Sequence, residues 1–198
     1  MSVSQPSRST VTRTWWTWFA GFLAFPIAGV AGTAAAGRVD SPVAALVGGT
    51  VAGVVIGAAQ ALVSRRRLDP RRWIPATALG TGLGLLLGAT IVGYRTSLPD
   101  LALMGALTGA VLGPLQALAL PARTPARWLW AAAMPALWAL GWSVTTLDGI
   151  GVHEQFTVFG AYGAVTVSAL SGLLLARLVP THAVLPPAPT PVPLDVAS

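Results

Sequence analysis

The stretch of sequence that decides the fold is GGTVAGVVIGAAQALVSRRRLDPRRW, residues 48–73. It begins inside an uncharged run, residues 42–64, in which glycine recurs at every fourth position and Gln60 is the one strongly polar side chain. A helix needs roughly 20 apolar residues to cross a hydrocarbon core. The pattern therefore predicts a membrane-spanning helix that ends at a basic loop, whose arginines are Arg65, Arg66, Arg67, Arg71 and Arg72.

The composition of the whole chain agrees with that prediction. Of 198 residues, 54% are hydrophobic and only 9% are charged, whereas soluble domains carry about 25% charged residues. The net charge is +6, but long neutral runs separate the arginines, which excludes the continuous basic face of a nucleic-acid-binding protein. The chain has no cysteine, so disulfides, thiolate catalysis and cysteine-ligated metals are excluded.

Six apolar runs are long enough to cross a membrane. They show no alternation of polar and apolar residues, and backbone groups in lipid must be hydrogen-bonded within the segment, which favours helices over strands. The sequence therefore predicts an all-α, polytopic membrane bundle of six transmembrane helices at residues 15–36, 42–64, 73–94, 98–120, 128–147 and 156–178. Internal prolines are expected to bend three of them, at Pro26, Pro114 and Pro135.

The two ends of the chain are expected to lie outside this bundle. Residues 1–14 are polar and predicted to be flexible, and residues 180–198 are proline-rich and predicted to be disordered. The first apolar run ends in TAAAG, which has the look of a signal-peptide cleavage site. Its length and its three early tryptophans favour a retained helix, which puts the transmembrane domain at residues 15–179.

Most of the arginines lie on one side of the predicted bundle. Ten of the twelve lie near the chain ends or in the second and fourth loops, and only Arg38 and Arg95 lie on the other side. Arginine excess marks the cytoplasmic side, so we predict a cell-membrane protein with both termini in the cytoplasm. The five-arginine loop is interpreted first as a topological anchor, whose basic residues would also attract anionic lipid head groups at about 1 kcal/mol each. A specific lipid or partner site at this loop is the less favoured alternative.

Tryptophans cluster on the same predicted side. Indole rings favour the membrane interface because they combine an apolar body with a polar N–H. We therefore expect an interfacial belt that consists of Trp15, Trp16, Trp18, Trp73, Trp128 and Trp130.

The chain also shows an internal repeat with a spacing of 55 to 56 residues. The glycine series and glutamine of one copy, Gly49, Gly53, Gly57 and Gln60, match Gly105, Gly109, Gly113 and Gln116 of the next. Trp73 then matches Trp128, and a weaker third copy has Gly160, Ala164 and Ser168 in the glycine places, with Trp15 and Trp16 opening its second half. Three pseudo-repeated helical hairpins are predicted, an arrangement that occurs in transporters but also arises from simple duplication.

Glycines four residues apart lie on one face of a helix, where they allow two backbones to approach closely. We predict that helix packing uses the two series above and a third one at Gly80, Gly84 and Gly88. Gln60 and Gln116 have two interpretations. They form hydrogen bonds between helices, which is favoured, or they line a cavity that opens toward the cytoplasm.

No catalytic or metal-binding group is predicted. The loop with Asp148, His153 and Glu154 lacks metal-ligand spacing, and together with Asp40 and Asp100 it is interpreted as solvated polarity. The predicted spans have no acid, lysine or histidine at mid-membrane, where proton relays place them. We therefore expect a protein without cofactor that is not an enzyme.

The repeated GxxxGxxQ pattern, with its arginine-rich turn and tryptophan, resembles uncharacterised bacterial multi-pass membrane proteins built from repeated helical hairpins. That resemblance implies an architecture but no activity. Of three hypotheses, the favoured one is a non-enzymatic membrane component, as a homo-oligomer or as the subunit of a membrane partner. A passive channel or facilitator for a small neutral solute is the alternative, and a membrane enzyme is the least favoured.

Overall fold

The computed structural model describes residues 8–65, 67–122, 124–149 and 151–179, and within these residues it contains helices and no strands. The all-helical prediction is thus confirmed for this part of the chain. Two short 3-10 segments lie at Ala20–Leu23 and Val152–Glu154. The α-helices are α1 (Arg8–Phe19), α2 (Ala24–Ala36), α3 (Pro42–Val63), α4 (Pro70–Ile91), α5 (Leu98–Ala119), α6 (Trp128–Leu147) and α7 (Ala161–Leu178).

Five helical columns are long and apolar enough to cross a membrane. The first column joins α1 and α2 through the 3-10 turn, and the other four are α3, α4, α5 and α7. Helix α6 is not among them, although it has 20 residues and no charged side chain. Its mean hydropathy is lowered by four tryptophans, since indole rings count as slightly polar: Trp128, Trp130, Trp138 and Trp142.

The starts of three helices follow from local sequence signals. The side-chain oxygens of Ser41, Asp69 and Ser97 accept hydrogen bonds from backbone N–H groups in the first turns of α3, α4 and α5. In each helix a proline occupies the first turn, where its missing N–H removes no helical hydrogen bond. These caps fix three of the hairpin turns.

The helices form a closed ring in which each helix packs against its neighbours in the sequence. From α2 to α7 each helix contacts the helix that follows it in the sequence, and α7 closes the ring by packing against α1. One end of the ring carries the 64–69 and 120–127 loops, the start of α1 and the end of α7, and we call it the arginine-rich end. The loops at 37–41, 92–97 and 148–160 lie at the opposite end.

The first column differs from the prediction in its start and its shape. Its helix already begins at Arg8, so residues 8–14 are helical rather than a flexible segment. The column changes to a 3-10 turn at Ala20–Leu23, just before Pro26, which has no N–H to bond the carbonyl of residue 22. Pro114 and Pro135, by contrast, lie within continuous α-helices. The predicted tail at 180–198 lies outside the described residues.

The last predicted span is shorter than expected, because α7 begins at Ala161 and not at residue 156. Phe159 turns into the core and packs against Phe25 and Trp138, each with a ring-centroid distance of 5.1 Å. The N–H of Gly160 donates to the Thr145 hydroxyl at 3.1 Å instead of continuing a helix. Residues 156–160 are therefore a non-helical wedge between α2 and α6.

The nine glycines predicted to pack helices lie at three successive helix contacts. A Cβ atom added at any of them would lie within 3.0 Å of an atom of the next helix, so a side chain at these positions would force the neighbouring helix to shift. The α3 glycines face α4, the α4 glycines face α5, and the α5 glycines face α6. In this order they are Gly49, Gly53 and Gly57; Gly80, Gly84 and Gly88; and Gly105, Gly109 and Gly113.

Candidate functional site

Three tryptophans from three different helices meet inside the arginine-rich end of the ring. The ring centroids lie 6.2 Å apart for Trp18 and Trp73, 6.0 Å for Trp18 and Trp130, and 5.8 Å for Trp73 and Trp130. All three pairs are edge-to-face, the geometry that the quadrupole of an aromatic ring favours. Because each of these side chains is at most 2% exposed, this tryptophan triad closes the centre of the bundle.

Each indole N–H of the triad donates to a polar side chain on an adjacent helix. The α4 and α6 indoles bond glutamine oxygens, and the α1 indole bonds a serine hydroxyl on α7. The pairs are Trp73 with Gln60, Trp130 with Gln116, and Trp18 with Ser171, all at 3.0 Å. A buried donor left without a partner costs about 1–3 kcal/mol, so these bonds fix where the rings can lie.

Gln116 is fully engaged in this network. Its side chain is 2% exposed; its oxygen accepts from Trp130, and its nitrogen donates to the Thr77 hydroxyl at 3.0 Å. Thr77 in turn donates to the carbonyl oxygen of Trp73 at 2.9 Å. The chain of bonds therefore ties α4, α5 and α6 together and leaves Gln116 directed into protein.

Gln60 occupies the corresponding place at the end of α3, but its side chain is only half-buried. Its oxygen accepts from Trp73, and the described residues offer no further partner to its amide nitrogen. The two glutamines, for which a cavity was one interpretation, are thus both found holding indole rings. Neither is among the residues that line the open grooves described below.

The predicted interfacial tryptophan belt is wrong for Trp18, Trp73 and Trp130, which are buried. It describes only Trp16 and Trp128 well, at 57% and 53% exposed. The predicted repeat partner of Trp73 is corrected in the same way. In the structure Trp130, and not Trp128, bonds the second glutamine. The glutamine and its tryptophan are 14 residues apart in this hairpin and 13 residues apart in the α3–α4 hairpin.

The sequence did carry one signal for the triad that the prediction did not use. A lone strongly polar residue about one turn before a loop needs a partner in lipid, and tryptophan N–H donors follow the loop in both hairpins. In the second hairpin this signal does not choose between Trp128 and Trp130. Trp18 and Ser171 offered no such signal, because they are 153 residues apart and serine is common in transmembrane helices. Only the closure of the ring brings them together.

A second aromatic cluster fills the bundle farther toward the opposite end. Phe159 contacts Phe25, Trp138 and Trp142 with centroid distances of 5.1, 5.1 and 6.1 Å. Aliphatic side chains that are at most 1% exposed occupy the interior between the two clusters, among them Ile56, Leu85 and Leu112. The described interior is therefore packed with apolar side chains over much of its length.

Polar contacts at the opposite end join loops rather than build a reactive centre. Arg95 forms a bidentate ion pair with Asp100, with its shortest distance at 2.9 Å, and this contact raises the pKa of Arg95. Arg38 donates to the carbonyl of His153 at 2.7 Å, and exposed His153 lies 3.4 Å from Glu154. Among the described residues no three histidine, aspartate or glutamate side chains are placed to hold a metal ion.

The five-arginine loop lies at the same end as the tryptophan triad. Arg65, Arg71 and Arg72 are exposed, while Arg66 lies outside the described residues. Arg67 is half-buried, and its pKa is lowered by burial and by the nearby charge of Arg13. In the described part of this loop the one ion pair joins Arg72 to Asp69 at 4.0 Å, so most of the positive charge of the loop has no acidic partner there.

A lateral groove opens between α2 and the non-helical wedge at residues 156–160. Its volume is about 530 Å³, and its walls are almost entirely apolar. It faces the side of the bundle because α2 diverges from α7 while α1 stays packed against α7. The residues that line it include Phe25, Pro26, Gly29, Val30, Thr33 and Val158.

Comparison of the chain with protein-family models, curated proteins and solved structures found no match. The resemblance to repeat-built membrane proteins therefore stays a prediction. What the chain does has to be argued from its own geometry.

Proposed function

We propose that the chain is a six-span integral protein of the cell membrane that serves as a non-enzymatic component of a membrane assembly. The observation that carries this proposal is the packing of aromatic and aliphatic side chains through the described interior of the bundle. The tryptophan triad fills the arginine-rich end of the bundle, and the side-chain oxygen and nitrogen of Gln116 both form hydrogen bonds to other helices. An interior packed in this way favours a role of the outer surface in contacts with partners over passage of a solute along the axis.

The proposal counts α6 as the sixth span. Helix α6 has 20 residues without a charge, and it packs along α5 and α7, which are both long and apolar enough to cross a membrane. Its tryptophans at positions 130, 138 and 142 are buried, so their polar N–H groups do not face lipid. The position of α6 between two candidate spans of one ring supports a membrane location for it.

The proposed orientation keeps both ends of the chain in the cytoplasm. It is supported by arginine placement, since the arginine-rich end gathers the start of α1, the 64–69 and 120–127 loops and the end of α7. At the opposite end Arg95 is neutralised by Asp100. The positive-inside rule then places the arginine-rich end toward the cytoplasm.

We further propose that the ring is built from three repeated hairpins, α3–α4, α5–α6 and α7–α1. Each pairs one polar residue with one triad tryptophan. The polar residue follows the first small residue of its series by eleven positions in every case: Gly49 to Gln60, Gly105 to Gln116, and Gly160 to Ser171. In this arrangement the two chain ends interrupt the third hairpin.

The alternative function, a passive facilitator for a small neutral solute, finds less support. A solute moving along the axis would have to displace the triad and the second aromatic cluster, both of which are buried. The lateral groove beside α2 opens to the side of the ring and carries almost no polar surface. An enzyme finds less support still, because the described interior offers no carboxylate, histidine or lysine.

Two measurements on the full chain test this proposal. Stopped-flow light scattering on proteoliposomes should show water, glycerol and urea permeabilities equal to those of protein-free vesicles. Cross-linking in native membranes, followed by purification in mild detergent, should give one partner at a fixed ratio, either a second copy or another membrane protein. Protein-dependent solute flux would reject the component in favour of the facilitator, and a chain that is always an isolated monomer would reject the assembly.

A further inference from the structure

A second groove opens on the outer surface of the ring at the arginine-rich end, between α3 and α4. Its volume is about 600 Å³, within the range of roughly 300–1,000 Å³ that is typical of ligand sites. Its walls come from the last turns of α3 and the first turns of α4, and they include Ala58, Ala61, Leu62, Arg65, Asp69 and Ile74.

The groove is apolar along most of its length, and its charged residues, Arg65 and Asp69, lie at the end next to the 64–69 loop. Ala58 is exposed, and Leu62 is 80% exposed on the outer surface, although both lie on a helix long and apolar enough to span a membrane. Arg65 lies where the apolar wall ends and the loop begins. This succession of alkyl surface and then positive charge matches the succession of acyl chain and phosphate in a phospholipid.

Arg65 and Asp69 are the two charged side chains that line the groove. Asp69 accepts a hydrogen bond from the backbone N–H of Arg71 at 3.0 Å, which caps α4, and it lies 4.0 Å from Arg72. Arg65 has no ion pair among the described residues. The segment 65–72 contains five arginines and a single aspartate, so the charge of the loop beside the groove favours an anion.

We propose that the α3–α4 groove binds one anionic phospholipid, with an acyl chain against Ala58, Leu62 and Ile74 and the phosphate at Arg65. This inference rests on the membrane insertion proposed above. It goes further in naming a single site, because diffuse attraction of lipid to basic loops needs no groove. A free phosphate would use only the rim and would leave the apolar wall unoccupied.

Native mass spectrometry can count the lipids that the full chain retains. The protein is reconstituted in nanodiscs of equal parts phosphatidylglycerol and phosphatidylcholine and then released into mild detergent. The wild type should retain one phosphatidylglycerol at several-fold higher occupancy than phosphatidylcholine. Arg65→Gln should reduce phosphatidylglycerol retention several-fold, and Ala58→Phe, which fills the groove from an exposed position, should do the same.

Two matched controls separate the groove from general effects. Arg38→Gln removes an exposed arginine at the opposite end, and Ala110→Phe adds a ring at an exposed position of α5. Both should retain phosphatidylglycerol like the wild type. Thermal unfolding of each variant in the same detergent identifies any that does not fold, and Arg65→Gln, an exposed loop substitution, decides if Ala58→Phe fails.

Three results would overturn the inference. These are equal retention of the two lipids by the wild type, equal loss of phosphatidylglycerol in Arg65→Gln and Arg38→Gln, and displacement of phosphatidylglycerol by inorganic phosphate alone. Each of them leaves a protein that has entered the nanodisc. Failure of the membrane proposal looks different, because the chain would then remain outside the nanodiscs.

Discussion

Gln116 and Trp130 are joined by a hydrogen bond of 3.0 Å between the glutamine side-chain oxygen and the indole N–H, in a part of the bundle where both residues are at most 2% exposed. The same glutamine donates to Thr77 on α4. One side chain therefore connects three helices, and its removal would leave the buried indole N–H of Trp130 without an acceptor, while the Thr77 hydroxyl would keep its bond to the Trp73 carbonyl. Substitutions that break this hydrogen bond should therefore lower the stability of the bundle.

Gln116→Ala should lower the free energy of unfolding by about 1–2 kcal/mol, because the Trp130 N–H loses its acceptor in an apolar environment. Gln60→Ala is the matched control, since Gln60 is half-buried and its amide nitrogen has no described partner. Its effect should be clearly smaller. Thermal unfolding in detergent, monitored by the near-UV circular dichroism of the tryptophans, measures the loss of stability in both variants. Equal effects of the two substitutions would mean that burial of the network does not matter.

Trp73→Ala should destabilise the protein by about 3–5 kcal/mol, the usual cost of removing a large buried aromatic side chain. Trp73 is fully buried and touches both other members of the triad. Trp128→Ala, at a position that is 53% exposed, should cost less than about 0.5 kcal/mol. The midpoint of thermal unfolding and the elution profile of each variant in detergent are the measurements. A Trp128 variant as unstable as the Trp73 variant would contradict the assignment of the triad.

Gly109→Leu and Gly53→Leu should disrupt the bundle, because a side chain at either position would enter the backbone of the adjacent helix. Even Gly109→Ala should be destabilising. Gly29→Ala provides the control, since the new methyl group would lie 3.6 Å from the Val158 side chain, an ordinary contact distance. Size-exclusion chromatography and thermal unfolding in detergent should separate the two groups. Monodisperse and fully stable Leu variants would show that close backbone approach is not needed there.

Replacing Arg65, Arg66, Arg67, Arg71 and Arg72 together by Gln should reduce correct orientation of the α3–α4 hairpin, because the positive charge that holds this loop in the cytoplasm is lost. Cysteines introduced in the loop should then become accessible to a membrane-impermeant maleimide added to intact cells. The matched control is Arg38→Gln with Arg95→Gln, which should leave the wild-type labelling pattern. Unchanged orientation in the five-fold variant would refute the anchor role of the loop.

Much of the fold follows from physical constraints that are visible in the sequence. Uncharged runs of about 20 residues have to be helices in lipid, and Ser41, Asp69 and Ser97 place the starts of three helices within a few residues. The glycine series identified the faces of α3, α4 and α5 that approach a neighbour, because only glycine allows such short distances. The preference of both glutamines for hydrogen bonds between helices also follows from the cost of an unpaired polar group in lipid.

The remaining features depend on contacts between distant parts of the chain. Phe159 enters the core and stops α7 from starting at residue 156, and only the position of Phe25 on another helix makes that favourable. Trp18, Trp73 and Trp130 resemble interfacial residues by their place in the sequence, and burial distinguishes them only once the ring is closed. The groove between α3 and α4 likewise depends on how two helix ends diverge, which local patterns do not encode.

The packing of α7 against α1 brings the first and last of the described helices into contact. During synthesis the indole N–H of Trp18 therefore stays without Ser171 until α7 has been made, so the ring closes only after the five helices between α1 and α7 have been synthesised. The same adjacency makes the fold suited to circular permutation: linking α7 to α1 and opening the chain at the 120–127 loop would turn this late closure into an ordinary hairpin.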